Sequence, residues 1–282
     1  MAVTDVLLAL TTYPEPTPIS AVDEAIAFAV VLEARISAIA CAVTMQPTGN
    51  KLADVLLDMP AMDAAEAKKS LTNAEALLVA FQGAAERRGV FQDRILEHCP
   101  TSEVPDLFIE YAKLRDLTIV PVPQGAQFDQ WFAESIVFGS GRPILIVPHA
   151  RKRAGAFALG TVVVAWDFSR PAARAVADAL PILENAKHVF VVTVTNEKVI
   201  DTKRSGAELA KHLARHGIDV VLDTVGAAGR GIGNVLESYV TSRNADILVM
   251  GAYGHSRIRE FILGGATRSM LSRPPLPVFF SH

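Results

Sequence analysis

The chain has 282 residues, of which 50% are hydrophobic and 20% charged, and these are the proportions of a globular protein with a large core. Its length corresponds to about two domains of ordinary size, and its composition excludes disorder or a coiled coil as the main architecture. The 27 basic and 30 acidic side chains give a net charge of −3, so no broad basic surface for nucleic acid is expected.

The apolar segments and the cysteines narrow the class of protein further. The mean hydropathy is +0.29, but no apolar run approaches the ~18 residues of a membrane helix, so no membrane partner is expected. Residues 1–5 carry no feature of a secretory signal, and we expect a cytoplasmic location. Cys41 and Cys99 are too few for a disulfide scaffold and lack metal-ligand spacing. We expect Cys41 to be a core thiol and Cys99, beside Pro100, to be more exposed.

Short runs rich in Val, Ile and Leu alternate with segments of helical periodicity along the whole chain. Strands that are apolar on both faces and separated by helices are typical of a parallel sheet covered on both sides. In the first half the predicted strands are 6–11, 36–44, 91–98, 117–122 and 143–148, and the helices are 20–34, 63–88, 102–114 and 128–138. In the second half the predicted strands are 162–166, 189–194, 219–225, 247–251 and 277–280, and the helices are 171–186, 205–216, 231–243 and 265–272.

The same order of elements therefore occurs twice, which indicates two homologous halves. A polar, basic stretch at residues 149–155 separates them and is typical of a surface linker. We predict two α/β domains, residues 1–150 and 156–282, each with a five-stranded parallel sheet and helices on both faces. The last strand of each half would be an exposed apolar edge. We therefore expect residues 144–147 and 278–280 to pair across a pseudo-two-fold axis, as a pseudo-dimer within one chain.

One group of glycines in the second half carries chemistry. Gly251 and Gly254 follow a predicted strand, and Gly264-Gly265 opens the last helix. In an open α/β sheet, ligands bind at the carboxyl ends of the strands where the strand order reverses. Glycine lets the backbone approach a ligand closely, and the N–H groups of a helix start favour a phosphate chain. Taken alone, the glycines are equally compatible with a tight turn and a helix break.

The spacing Gly251-x2-Gly254-x9-Gly264 resembles the nucleotide-binding signature of the universal stress protein family. Members of that family pair this pattern with an adenosine pocket on a flavodoxin-like five-stranded sheet. The resemblance extends over nearly the whole chain as a tandem pair, so it implies two flavodoxin- or Rossmann-like domains. The nucleotide-binding residues that it implies are Ala165, Asp167, Val194, Met250, Gly251, Gly254, His255, Gly264, Gly265, Ala266 and Thr267.

Two of these positions match single residues of the family. Asp167-Phe168-Ser169 is similar to the family's Asp-x-Ser, in which the aspartate meets the adenosine, and a carboxylate can accept from an amine or a ribose hydroxyl. Capping of the helix that begins near Pro171 is an equally compatible role for Asp167 and Ser169. Val194 matches the residue whose main chain faces the adenine, although an ordinary strand valine would look the same.

The sequence departs from the family at one phosphate-facing position. Gly265 stands where ATP-binding members have Ser or Thr directly after the third glycine. Because a hydrogen bond contributes about 0.5–3 kcal/mol, its loss would weaken binding several-fold to about a hundred-fold. The Thr267 hydroxyl and the Gly265 N–H are candidates to compensate. His255, with Arg257 and Arg259, could offset phosphate charge, or these side chains could be solvated.

The first half lacks this pattern. An alignment of the last helices and strands places Pro121 opposite Gly251, and proline offers no N–H to a phosphate. The segment Thr11-Thr12-Tyr13-Pro14 stands where Asp167-Phe168-Ser169 stands in the second half. We therefore predict that residues 1–150 form a degenerate repeat without a nucleotide site.

Other patterns give no site. Residues 226–233 fail the dinucleotide register and predict a loop that starts a helix, and His212 and His216 lack a third metal ligand. No nucleophile–base pair is visible, so we expect at most slow ATP hydrolysis. The sequence thus predicts a stress-response protein that binds ATP, ADP or AMP, with or without Mg²⁺, as a sensor or switch. The alternative is a scaffold or partner-regulating protein without nucleotide, and a homodimer of chains stays open in either case.

Overall fold

A computed structural model describes residues 2–45, 59–123, 127–149, 157–195, 202–252 and 265–282. Over these residues the predicted order of elements is confirmed, with bounds that differ by a few residues. The strands are β1 (Asp5–Leu10), β2 (Arg35–Thr44), β3 (Phe91–Pro100), β4 (Leu117–Val122), β5 (Ile144–Pro148), β6 (Thr161–Ala165), β7 (His188–Thr195), β8 (Val220–Gly226), β9 (Ile247–Gly251) and β10 (Val278–Ser281). The helices are α1 (Ile19–Val31), α2 (Met59–Arg87), α3 (Val104–Lys113), α4 (Gln127–Gly139), α5 (Arg170–Glu184), α6 (Thr202–Ala214), α7 (Ile232–Ser242) and α8 (Gly265–Ser272), with a 3-10 turn at Thr101–Glu103.

The strands form one ten-stranded sheet in the order β3-β2-β1-β4-β5-β10-β9-β6-β7-β8. Within each half the five strands are parallel, as predicted. The halves meet where β5 pairs antiparallel with β10, with Ile146 opposite Val278 and Ile144 opposite Phe280. The expected pairing of the two last strands is therefore confirmed, and it buries an edge that each five-stranded sheet would otherwise expose.

Strand register gives an alignment of the two halves that does not depend on sequence similarity. Val6 on β1 lies opposite Leu117 on β4, and Val162 on β6 lies opposite Ile247 on β9. Val6 is therefore equivalent to Val162, and Leu117 to Ile247. Counting along each strand pairs Pro121 with Gly251 and Thr11 with Asp167, which confirms both equivalences expected from the sequence.

Helices cover both faces of the sheet. Successive residues of each strand point to opposite faces, so both faces contribute buried side chains. Leu8 and Leu10 of β1 are buried on the face covered by α1, α2, α5 and α6. Leu7 and Ala9 are buried on the face covered by α3, α4, α7 and α8. Full burial of a leucine side chain stabilises a fold by about 1.5–3 kcal/mol. Two continuous cores therefore run through both halves of the chain.

Aromatic contacts supplement the strand pairing between the halves. The ring of Phe138, in α4, lies 5.2 Å from the ring of His282, and the ring of Phe28, in α1, lies 5.4 Å from the ring of Phe157.

The predicted division between residues 150 and 156 lies outside the described residues, so the two domains remain a prediction. No described helix is long and apolar enough to span a membrane.

Candidate functional site

The strand order of the C-terminal half reverses at β6. The chain passes from β6 to β7 on one side and later returns to β9 on the other, so β6 lies between them. The crevice outside the carboxyl ends of β6 and β9 is the position at which open α/β sheets bind ligands. Of the predicted residues, Ala165 ends β6 and Gly251 ends β9. The topology therefore brings them to one edge of the sheet.

Two further predicted residues lie on the strands beside this crevice. Met250 is buried and pairs with Phe280 of β10. Val194 is partly buried near the end of β7 and pairs with Val225 of β8. Val194 thus occupies the expected edge.

Gly251 has a packing role that the sequence did not predict. A Cβ atom at this position would lie 2.4 Å from the carbonyl carbon of Pro171 and 2.5 Å from the amide nitrogen of Ala172. Both contacts are with backbone at the first turn of α5, so no side-chain rotation could relieve them. The missing side chain of Gly251 is therefore required for α5 to begin against the end of β9.

The segment between β6 and α5 is a hydrogen-bonded turn. The Ser169 N–H donates to Asp167 Oδ1 (3.0 Å), and the Ala172 N–H donates to Ser169 Oγ (3.2 Å). Ser169 is the N-cap of α5, and Pro171 lies in the first turn, where its missing N–H costs little. The capping role considered for Ser169 is confirmed. Asp167 supports the same turn at the mouth of the crevice.

Phe168, at the centre of this turn, was missed as a site residue. Its backbone has a φ of +60°, a region that side chains other than glycine rarely adopt, and 68% of the residue is exposed. Its ring lies 6.1 Å from the ring of Trp166, which is buried. An exposed aromatic residue held in this backbone conformation beside the crevice is a candidate contact for a planar ligand. The only sequence signal was an aromatic residue inside the Asp-x-Ser motif.

The start of α8 approaches the same edge. Gly265 is exposed, and a Cβ atom there would meet no atom of the described residues within 4 Å. Ala266 is partly buried, and Thr267 is 4% exposed. Thr267 is therefore a buried residue of the first helical turn and does not lie on an open surface. Gly254, His255 and Gly264, together with Arg257 and Arg259, lie outside the described residues.

The equivalent edge of the N-terminal half is filled by its own polar groups. The Thr12 hydroxyl donates to the carbonyl oxygen of Cys41 (2.6 Å). Ser70 Oγ lies 2.8 Å from Thr12 Oγ1 and accepts from the Val43 N–H (3.0 Å). Because the Thr12 hydrogen is already engaged, Ser70 must donate to Thr12. These groups satisfy one another instead of facing a ligand.

The connection from β1 to α1 closes on itself in a similar way. Residues 11–18 form this connection, whereas residues 166–169 suffice between β6 and α5. The Thr11 N–H donates to Thr17 Oγ1 (3.0 Å), and the Thr17 N–H donates to the Thr11 carbonyl oxygen (2.9 Å). The N-terminal half thus begins α1 after a longer connection, and it has Pro121 at the position equivalent to Gly251.

A small cavity lies at this edge of the N-terminal half. Its volume is about 20 Å³, and its walls come from the ends of β1 and β2, the 3-10 turn, α3 and α4. A cavity of that size holds a water molecule but not a nucleotide. Burial lowers the pKa of His149, although a backbone hydrogen bond with Pro121 and the charge of Glu15 oppose the shift, so the ring is mainly neutral at pH 7. The absence of a nucleotide site of the family's type from this half stays a prediction.

The other patterns considered in the sequence give no second candidate site among the described residues. No group of three His, Cys, Asp or Glu side chains that could hold a metal ion occurs among the described residues. The rings of His212 and His216 lie 5.0 Å apart on α6. Within residues 226–233, a loop at 227–231 leads from β8 into α7 with Gly231 as the N-cap, as the sequence predicted. The crevice at β6 and β9 is therefore the candidate site.

Comparison with known protein families decides the relationship of this half of the chain. The model of the universal stress protein family matches residues 159–282. This part of the chain is therefore similar to a universal stress protein domain. The resemblance inferred from the glycine spacing is thereby confirmed for the half that carries it. A sequence search of curated proteins finds no match.

Solved structures extend the likeness in fold to the whole chain. A universal stress protein from Archaeoglobus fulgidus matches with a TM-score of 0.70 at 17% identity, over 98% of this chain and 97% of its own. A candidate universal stress protein from Pseudomonas aeruginosa matches with a TM-score of 0.56 at 13% identity, over 99% and 93% of the two chains. A universal stress protein solved in complex with cAMP covers 44% of this chain and 97% of its own, at 21% identity and a TM-score of 0.33. The tandem arrangement thus has counterparts of nearly the same extent.

Proposed function

We propose that the protein is a cytoplasmic stress-response protein whose C-terminal domain binds an adenine nucleotide in the crevice between β6 and β9. Binding serves as a sensor or switch, with at most slow hydrolysis. The N-terminal domain supports this site through the shared sheet and binds no nucleotide. The observation that carries the proposal is the coincidence of the glycine pattern with the point where strand order reverses.

The turn at residues 167–169 supports this location. It holds the Asp167 carboxylate beside the crevice, where the family places the residue that meets the adenosine. Phe168 is exposed next to it and offers a flat apolar surface to a base. Carboxylate and aromatic ring together suit a nucleoside better than an isolated phosphate, because one accepts hydrogen bonds and the other stacks.

The start of α8 supports a phosphate at the other end of the ligand. Its first N–H groups have no partner within the helix and lie at the positive end of the helix dipole. Among the described residues, nothing lies within 4 Å of the Cβ position of Gly265, so no described side chain covers this end. Mg²⁺, where it accompanies the nucleotide, would be held by the phosphates, since the described residues offer no three-ligand cluster.

Denaturing the purified protein and identifying the released small molecules by mass spectrometry tests the proposal. We expect ATP, ADP or AMP from the wild type and none from Gly254→Val, which fills the second glycine of the motif. Gly226→Val is the control, because Gly226 is a glycine outside the motif, at the end of β8, and its Cβ position is open. Loss of nucleotide from both variants would place the effect in folding rather than in the site.

Gly265→Ser restores the hydroxyl of ATP-binding family members at a position with room for it. A hydrogen bond to phosphate contributes about 1.5–3 kcal/mol, so we expect the ATP affinity to rise at least about ten-fold in calorimetric titration. Gly265→Ala controls for the effect of replacing glycine in the first turn of the helix. Equal affinities of the two variants would mean that the phosphates lie elsewhere.

A scaffold or partner-regulating role is the second candidate. It is favoured by Gly265 and by the packing role of Gly251, which accounts for that glycine without a ligand. A ligand that binds the native state raises its stability by RT ln(1 + [L]/Kd). A protein that yields no nucleotide and whose melting temperature is unchanged by millimolar ATP with Mg²⁺ would favour the scaffold.

A further inference from the structure

The fold brings the chain's two cysteines together. Cys41 and Cys99 lie 58 residues apart in sequence, and their sulfur atoms are 2.8 Å apart. They lie on the neighbouring parallel strands β2 and β3, where Val43 pairs with Cys99 and Cys41 with Glu97. Both thiols belong to the core on the face covered by α3 and α4. Their approach is set by strand register and not by long, flexible side chains.

The surroundings limit what can reach these thiols. Cys41 is 2% exposed, as expected of a core thiol, and Cys99 is 9% exposed, so Cys99 is the more exposed of the two, as expected, although it too is buried. Cys99 is buried because it lies near the end of β3 and packs in the core. Cys41 also contributes to the wall of the 20 Å³ cavity, which has room for a molecule the size of water. A tripeptide disulfide or a partner protein would not fit.

We propose that Cys41 and Cys99 form a reversible intramolecular disulfide when the protein meets a small hydroperoxide. The N-terminal domain, which lacks the nucleotide motif, would then carry an oxidant-responsive site of its own. The proposal is independent of nucleotide binding in the C-terminal domain, because neither thiol lies in that domain.

The chemistry needs one hydroperoxide and two thiols. Cys99, the more exposed thiol, attacks the peroxide: a sulfur–oxygen bond forms, the oxygen–oxygen bond breaks, and water leaves with the thiol proton when the oxidant is hydrogen peroxide. The Cys41 sulfur then attacks the sulfenic acid: the disulfide forms, the sulfur–oxygen bond breaks, and a second water leaves with the Cys41 proton. An added dithiol reverses the reaction by thiol–disulfide exchange.

The electrostatic environment sets the expected pH dependence. Burial raises the pKa of Cys41 and of Cys99, and the nearby carboxylate of Glu97 adds to both shifts. The thiolate is the reactive form, so oxidation at neutral pH should be slower than that of a free thiol and should accelerate as the pH rises. This sign distinguishes the pair from an activated peroxidase cysteine, which is already ionised at neutral pH.

Mass spectrometry of the intact, alkylated protein tests the proposal. Reduced full-length protein is treated with hydrogen peroxide, quenched, denatured and reacted with N-ethylmaleimide. We expect untreated protein to take up two maleimides. Treated protein should take up none, be lighter by two hydrogen atoms and remain monomeric on a non-reducing gel. Dithiothreitol before alkylation should restore two maleimides.

Single substitutions separate the two roles. In Cys41→Ser no second thiol is present, so Cys99 should be trapped as a sulfenic acid by dimedone. In Cys99→Ser the deeper Cys41 should stay alkylatable under the same treatment. Cys41→Ala and Cys99→Ala repeat the comparison if a buried serine hydroxyl disturbs the core, and the melting temperature of each variant reports its folding.

Free glutathione in the same tube shows that the oxidant was active. If glutathione is fully oxidised while the protein still takes up two maleimides, even at raised pH, the proposal is wrong. Disulfide-linked dimers, or sulfinic acids without a disulfide, would also overturn it. Equal behaviour of the two single variants would contradict the order of attack.

Discussion

At the amino edge of the sheet, the two halves of the chain use the same device. Asp116 Oδ2 accepts from the two N–H groups at the start of β1 (2.9 and 3.0 Å). Asp246 Oδ2 accepts from the two N–H groups at the start of β6 (2.9 and 2.8 Å). Strand register makes the two aspartates equivalent, because each precedes the strand that pairs with the first strand of its half.

At the carboxyl edge, residues that the same register makes equivalent differ in exposure and in their contacts. Thr12 is 3% exposed and hydrogen-bonded inside the domain, whereas the equivalent Phe168 is 68% exposed. Cys41, which bonds to Thr12 through its carbonyl oxygen and contacts Cys99, is equivalent to Val194. One edge therefore preserves contacts that any copy of the fold needs. The other edge, where ligands bind in such sheets, differs between the halves.

The largest expected effect concerns Gly251, where the two halves differ in the space left for a side chain. Gly251→Ala would press a methyl group against the backbone of Pro171, so we expect a loss of about 3 kcal/mol in the free energy of unfolding. Urea denaturation followed by circular dichroism measures it. Gly226→Ala, also at a strand end but with open space, should change stability by less than about 1 kcal/mol. Similar values for the two variants would show that α5 can move away from β9.

A smaller loss is expected from Ser70→Ala, which tests the polar network at the other carboxyl edge. The substitution leaves the buried Val43 N–H and the Thr12 hydroxyl each without one partner, and this should cost about 2 kcal/mol. Ser238→Ala, which removes an exposed hydroxyl from α7, should cost less than about 0.5 kcal/mol. Urea denaturation of both variants makes the comparison.

A double-mutant cycle sharpens this test. Ser70→Ala combined with Thr12→Val should cost less than the sum of the single changes, because both act on one network. Simple additivity would mean that the two hydroxyl groups act independently and that the N-terminal edge is not held by the network described above.

The sequence was sufficient for features that depend on local pattern. The alternation of apolar runs and helical segments predicted every described strand and α-helix, and the proline before each last strand marked the equivalence of the two halves. Glycine spacing predicted a ligand site at the carboxyl end of the strand that contains Gly251, and Gly251 ends β9. The apolar edge strand that each half would otherwise expose predicted the pairing of β5 with β10.

The features that escaped prediction depend on contacts between distant segments. The clash that requires Gly251 comes from the backbone of α5, about eighty residues earlier in the chain. The contact of Cys41 with Cys99 depends on the register of β2 against β3. The exposure of Phe168 accompanies a positive φ at this residue, and an aromatic residue in the sequence does not predict a positive φ. The hydrophobic periodicity of the sequence carries no information about these three features.

The smallest expected effect returns to the amino edge, where the halves agree. Burial raises the pKa of Asp116, but hydrogen bonds from Thr4 and Asp5 and the charge of Arg142 outweigh it, so the pKa is lowered in the folded protein. A carboxyl whose folded pKa lies below its unfolded value of about 3.9 stabilises the fold above that pH. That stability is lost as the pH falls through the folded pKa.

We therefore expect Asp116→Asn to cost about 1 kcal/mol at pH 7, because a charged acceptor is replaced by a neutral one. The difference from wild type should shrink below about pH 4, where the wild-type carboxyl takes up its proton. Urea denaturation between pH 3 and pH 7 measures it, and Asp219→Asn, at an exposed position before β8, controls for the loss of one charge. A difference that is constant over this range would assign the effect to shape rather than charge, and the amino edge would then be held by hydrogen-bond geometry alone.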